Sequence, residues 1–165
     1  MTHTYTLERR QLIRRPLDEV FAFFADAGNL EAITPEFLQF RILTPRPIAM
    51  QPGALIDYRL KLLCVPLQWR TRIEEFEPPR RFVDVQLGGP YKLWRHTHEF
   101  TETAEGTVVL DRIAYQIPLG PLGRLAHAIF VRHTLNQIFD HRHRIIERLL
   151  PPTQAGGVGT PVPPL

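Results

Sequence analysis

Between Leu122 and Leu150 the chain repeats apolar residues at steps of three and four: Leu122, Leu125, Ala126, Ile129, Phe130, Leu135, Ile138, Phe139, Ile145, Ile146 and Leu149. That spacing predicts one face of a long α-helix. Pro121 and Gly123 open the run, and Pro151 with Pro152 stop it. At 1.5 Å per residue the helix is roughly 40 Å long. Its other face carries Arg124, Arg132, His133, His141, Arg142, Arg144 and Arg148. Such a helix is too polar to cross a bilayer. It needs a large apolar surface to lie on, and the preceding sequence must supply it.

With 165 residues, 44% of them hydrophobic, the chain is long enough for one domain with its own core. A net charge of +3 is too mild to argue for nucleic acid. Cys64 is the only cysteine, which excludes an internal disulfide. The polar start, Met1 to Arg10, has no apolar signal core, so the expected location is the cytoplasm. Residues 1–150 read as the domain. The Pro- and Gly-rich residues 151–165 read as a flexible tail.

Tyr5 to Arg14 reads as a first strand. Pro16 to Ala25 reads as a short helix with Asp18 and Glu19 at its positive end, and Asn29 to Thr34 as a second helical piece. From Phe37 the apolar period becomes two. Strands are expected at Phe37–Leu43, Leu55–Leu63, Leu67–Phe76, Arg81–Leu87, Leu93–Thr101 and Thr107–Gln116, joined by short turns. Consecutive strands with short turns make an antiparallel meander. The predicted fold class is α+β: a curved sheet of about seven strands around one long C-terminal helix, with two short helices after strand 1.

More specific are Trp69-Arg70-Thr71-Arg72-Ile73, Pro79-Arg80-Arg81-Phe82-Val83-Asp84-Val85-Gln86 and Gly89-Pro90-Tyr91, followed by Trp94-Arg95-His96-Thr97-His98-Glu99-Phe100, Asp111, Tyr115 and Pro118-Leu119-Gly120. With the element order, this resembles the helix-grip fold of the START-like, Bet v 1-like superfamily, the SRPBCC or polyketide cyclase/dehydrase type. Within it the chain looks like a bacterial subgroup of ligand binders. The resemblance spans about residues 3 to 150. It implies a deep cavity between sheet and helix. It implies no particular reaction, because the fold hosts carriers, cyclases and plain binders alike.

The residues add a polar set on the inner face. Alternation puts Trp94, His96, His98 and Phe100 on one side of their strand. Closing the two hairpins sets Asp84 opposite His96, Gln86 opposite Trp94, His98 opposite Asp111 and Trp94 opposite Tyr115. Two carboxylate–imidazole pairs then lie side by side on the concave sheet. They could pin strand register, form the polar end of a ligand pocket, or act as a His–Asp general base. The catalytic candidates in that case are His96, His98, Asp84 and Asp111. His96-X-His98 with a carboxylate could also ligate a metal. None is expected, since paired His and Asp more often bond each other.

The function these features predict is binding of a hydrophobic or amphipathic small molecule: a lipid, quinone or aromatic polyketide. The expected lining from the sheet is Ile56, Tyr58, Leu60, Trp69, Thr71, Phe82, Asp84, Gln86, Trp94, His96, His98, Phe100, Asp111 and Tyr115. Leu125, Ile129 and Phe130 are expected from the helix, with an opening near Gly53 or Gly88 to Tyr91. The alternatives are a cyclase- or dehydratase-type enzyme, and a lipid or quinone chaperone docking through Arg132 and Arg142 on the basic helix face. No cofactor, nucleic acid or stable protein partner is expected; the basic helix face reads first as solvated and leaves room only for weak contact with a membrane surface.

Overall fold

A computed structural model describes residues 3–62 and 65–152. Cys64 and the tail beyond Pro152, both read above from sequence, lie outside the described residues. Seven strands form one antiparallel sheet: β1 (Tyr5–Ile13), β2 (Arg41–Ile42), β3 (Leu55–Leu62), β4 (Val65–Glu77), β5 (Arg81–Gly88), β6 (Leu93–Thr103) and β7 (Gly106–Gln116). Their spatial order is β1-β7-β6-β5-β4-β3-β2. Two register shifts in β4, at Arg70/Thr71 and Ile73/Glu75, mark bulges. Bulges sharpen local twist, which helps a sheet curl over what it covers.

Alternation sets the two faces as the sequence requires. Ile56, Tyr58 and Leu60 of β3 and Trp69, Thr71 and Ile73 of β4 are buried. The intervening charged residues pair on the outer face: Arg70 with Asp57 at 2.7 Å, Arg95 with Glu74 and Glu75, and Arg81 with Glu75. Two short helices, α1 (Leu17–Ala25) and α2 (Asn29–Ala32), follow β1. α1 buries Val20 and Phe21 against Phe82 and Phe100 of the sheet.

The strand expected at Phe37–Leu43 is reduced to two residues. A 3-10 turn at Glu36–Leu38 and a left-handed Gln39 (φ 43°) take up its first half. That turn buries Leu38 in the main core, which an extended strand there would not do.

The long C-terminal helix is present as expected, running from Gly120 to Leu149 with a π-turn inside it. The chain forms α3 (Gly120–Ala126), a π-helical turn (His127–Val131) and α4 (Arg132–Leu149). A π-turn holds about one residue more than an α-turn and so shifts the phase of everything before it. Leu122, Leu125 and Ile129 consequently face solvent, at 70%, 58% and 72% exposed. Only α4 keeps the predicted stripe, burying Leu135, Phe139 and Ile146. Three contacts of the described residues tie it to β1: Arg9 donates to the Asn136 side-chain oxygen and pairs with Asp140 at 3.7 Å, and Gln11 Nε2 donates to the His143 carbonyl at 3.0 Å. No helix of the described residues is long and apolar enough to cross a membrane.

Gly106 carries the β6–β7 hairpin at φ 135°. A Cβ there would run into the Ile13 carbonyl and come within 2.7 Å of Arg14 Cα. Gly106→Ala is therefore expected to cost about 1–3 kcal/mol. Thermal unfolding checks this, and an unchanged midpoint would contradict it.

Candidate functional site

The concave face of the sheet, α1–α2 and α4 enclose an elongated cavity of about 200 Å³. Its walls are largely apolar and aromatic: Tyr58, Leu60, Trp69 and Trp94 from the sheet, Phe24, Leu30 and Ile33 from the short helices, and Leu135, Ile138 and Phe139 from α4. Trp69 Nε1 donates to Thr71 Oγ1 at 3.0 Å, and that hydroxyl also bonds the Tyr58 hydroxyl. The polar atoms on this wall are thus satisfied among themselves. Burial, reinforced by the nearby Asp84 charge, raises the Tyr58 pKa, so the phenol stays neutral. Burial likewise raises that of Tyr91.

One wall is different. Asp84, His96 and His98 border the cavity, and Asp111 lies behind the two rings. The predicted registers hold where it matters: Asp84 pairs with His96, His98 with Asp111, and Trp94 with Tyr115. The side chains do not form two separate pairs, however. Each carboxylate touches both rings. Asp111 Oδ1 is 3.1 Å from His96 Nε2 and 2.7 Å from His98 Nδ1, and Asp84 Oδ2 is 3.6 Å from His96 Nδ1 and 3.3 Å from His98 Nε2. The rings lie 3.8 Å apart, and each is only 5% exposed. His98 Nδ1, though close to Asp111, makes no hydrogen bond, because the approach is off the N–H direction.

The titration of the two imidazoles and of Asp111 follows from this crowding. Burial and the His98 charge hold His96 below the ordinary imidazole range, despite Asp111 and Asp84. Burial also opposes a charge on His98, but the two carboxylates outweigh it and raise its pKa. Burial would raise Asp111, yet His98 and His96 together hold it well below the usual carboxylate range.

Of the expected lining, Ile56, Tyr58, Leu60, Trp69, Thr71, Phe82, Asp84, Trp94, His96, His98 and Phe130 border the cavity. Leu125 and Ile129 do not, because of the phase shift at the π-turn. Phe100 packs instead under α1, against Phe21, Phe24 and Phe82. Gln86 folds back on its own hairpin, its Nε2 donating to the Tyr91 carbonyl at 2.6 Å. Tyr115 turns to the π-turn, its hydroxyl 2.9 Å from His127 Nε2. Pro90 and Tyr91 border the cavity as expected near an opening; Gly53 does not.

Ten residues between Phe23 and Phe40, with Met50, are lining that sequence reasoning missed, as are Thr134, Leu135, Ile138 and Phe139 of α4. The signal for the first group was present in Phe23, Leu30, Ile33 and Phe40, apolar side chains beyond what α1's own stripe uses. Arg142 is a second omission. Read as part of the solvated basic face, it lies over the Phe139 ring at 4.9 Å and borders the cavity. It also borders a polar cleft of about 310 Å³ on the far side of Asp111, between β1 and α4. Phe139 likewise borders both spaces.

The comparisons with known proteins agree with this architecture. Major latex-like protein 151 from Panax ginseng superposes with a TM-score of 0.66 at 13% identity, over 90% of this chain and 99% of that one. TTHA0849 from Thermus thermophilus gives 0.67 at 13% identity, over 88% and 99%. CV1439 from Chromobacterium violaceum gives 0.68 at 14% identity, over 90% and 99%. At such identities the likeness establishes the fold, which is the helix-grip, Bet v 1-like fold. No curated protein matches the sequence. Residues 42–150, which span β2 to α4 and contain all four members of the His–Asp cluster, match the model described as "Domain of unknown function (DUF8410)", and the chain belongs to that family.

Proposed function

We propose that the protein binds a small, mainly apolar molecule with one polar end in the cavity beneath its sheet. The observation that carries this reading is the cavity's asymmetry. A largely apolar space of about 200 Å³ has Asp84, His96 and His98 side by side at one place on its sheet wall, with Arg142 and Asp26 the other charge-capable residues of its lining. A few convergent polar groups in an apolar pocket are what orient a ligand. The volume selects among ligands. A dry cavity of roughly 150 Å³ accepts benzene, so this one suits a one- or two-ring molecule better than a long-chain lipid. Docking to an anionic surface through Arg132 and Arg142 is a weaker account, since Arg142 borders the cavity.

Trp69 and Trp94 both line the cavity, and the chain has no other tryptophan. Intrinsic fluorescence therefore reads the cavity directly. Titration with 1,4-naphthoquinone or 1-naphthol is expected to quench it saturably. Ile138→Phe, which fills part of the same space, is expected to weaken binding at least several-fold. If one-ring, two-ring and long-chain probes all leave the emission unsaturated, or if Ile138→Phe makes no difference, the proposal fails.

A further inference from the structure

The crossed contacts of the His–Asp cluster have a geometric focus. Asp84 Oδ2, at 3.6 Å from His96 Nδ1 and 3.3 Å from His98 Nε2, faces one nitrogen of each ring. A ligand-type atom from each of the three residues lies within 4.8 Å of the other two. A divalent ion with bonds of about 2.0–2.2 Å spaces neighbouring ligand atoms roughly 3.0–3.5 Å apart. The cluster is already close to that spacing. The remaining nitrogen of each ring faces Asp111, at 3.1 and 2.7 Å. Metal-bound imidazoles commonly give their second N–H to a carboxylate, which fixes tautomer and ring orientation. Here one carboxylate stands behind both.

The strands impose this arrangement. His96 and His98 are two apart on β6 and share a face. Asp84 arrives from β5 opposite His96, and Asp111 from β7 opposite His98, so the carboxylates flank the rings from opposite sides. His98 Nδ1 is buried and held 2.7 Å from the Asp111 carboxylate, outside good hydrogen-bond alignment. Ligation through Nε2, with the ring turned so that Nδ1–H meets Asp111, would satisfy both nitrogens.

We propose that Asp84 Oδ2, His96 Nδ1 and His98 Nε2 bind a divalent transition-metal ion, with Asp111 as the positioning carboxylate. Two imidazoles and one carboxylate suit zinc, ferrous iron or cobalt rather than calcium or magnesium, which take oxygen ligands. Three protein ligands leave coordination positions open. Asp84, His96 and His98 all border the cavity, so those positions open into it. The molecule suited to that end of the cavity has an oxygen or nitrogen donor on a small apolar body. The metal site stands on the side-chain geometry and does not rest on cavity binding.

The test is titration of the EDTA-treated full chain with Co²⁺, followed by visible absorption and calorimetry. One equivalent is expected to bind, with bands of nitrogen–oxygen coordination, and Zn²⁺ is expected to displace it. Asp84→Asn and His98→Gln, each shown folded by circular dichroism, are expected to weaken binding more than tenfold. Asp111→Asn is expected to weaken it by about 10–100-fold. His143→Ala removes the exposed His143–Glu147 pair on α4, 3.2 Å apart, and should leave the titration unchanged. Absence of stoichiometric Co²⁺ binding, binding that survives Asp84→Asn and His98→Gln, or binding lost with His143→Ala would overturn the proposal. Since naphthoquinone quenching is measured without metal, failure here and failure of the cavity reading are separate results.

Discussion

Asp111→Ala is expected to destabilise the protein by about 3–5 kcal/mol, the cost of removing one partner from a buried charged pair. Asp111 contacts both rings, and all three side chains are nearly inaccessible to water. Without the carboxylate, His96 Nε2 and His98 Nδ1 have no replacement partner, and the raised pKa of His98 loses a principal cause. Asp84→Asn should cost less, about 1–3 kcal/mol, because Asp84 borders the cavity. Urea unfolding at neutral pH measures both, and a smaller loss for Asp111→Ala than for Asp84→Asn would contradict the account. The pH dependence has a definite sign. Asp111 has a folded pKa depressed below its ordinary 3.8. Its contribution is therefore complete above that value and is lost as pH falls through the depressed one. Asp111→Asn should flatten the acid limb of the stability curve below about pH 4.

Phe139→Ala is expected to cost a further large amount, about 3–5 kcal/mol. Its ring is buried in the main core, meets His96 edge-on at a 5.7 Å centroid distance, and carries Arg142 on its other side. The same ring borders both the apolar cavity and the polar cleft. Its removal is expected to join the two and admit water to the His–Asp cluster. Two readouts are expected together: a lower unfolding midpoint and a red-shifted tryptophan emission, since Trp94 lines the cavity beside His96. Loss of stability without the spectral shift would mean that the spaces remain separate.

The strands and their registers were legible because a period of two is a local signal and short hairpins leave little freedom. Asp84 with His96, and His98 with Asp111, follow from counting across two tight turns. What counting along strands could not show was that each carboxylate reaches both rings. That depends on sheet twist, which brings diagonal neighbours into contact. The face of the last helix was legible only within α4. The single extra residue of a π-turn has no composition of its own, and so the phase of Leu122, Leu125 and Ile129 was misread. The contributions of Phe24, Leu30 and Ile33 depend on how α1 and α2 tilt over the sheet, a tertiary property with no sequence period.

Only three residues separate β7 from α3. Gly123 is buried against the chain just before α3, where a Cβ would collide with the Pro118 carbonyl. Deleting one residue between His127 and Val131 would remove the surplus that the π-turn carries and let it close as an α-turn, with Gly123 still beside Pro118. A residue added or lost between Gly123 and Ala126 has no such outlet. It turns Gly123 by about 100° and brings a neighbouring side chain against the Pro118 carbonyl. The chain thus tolerates a change of length at the π-turn and not in the turn before it.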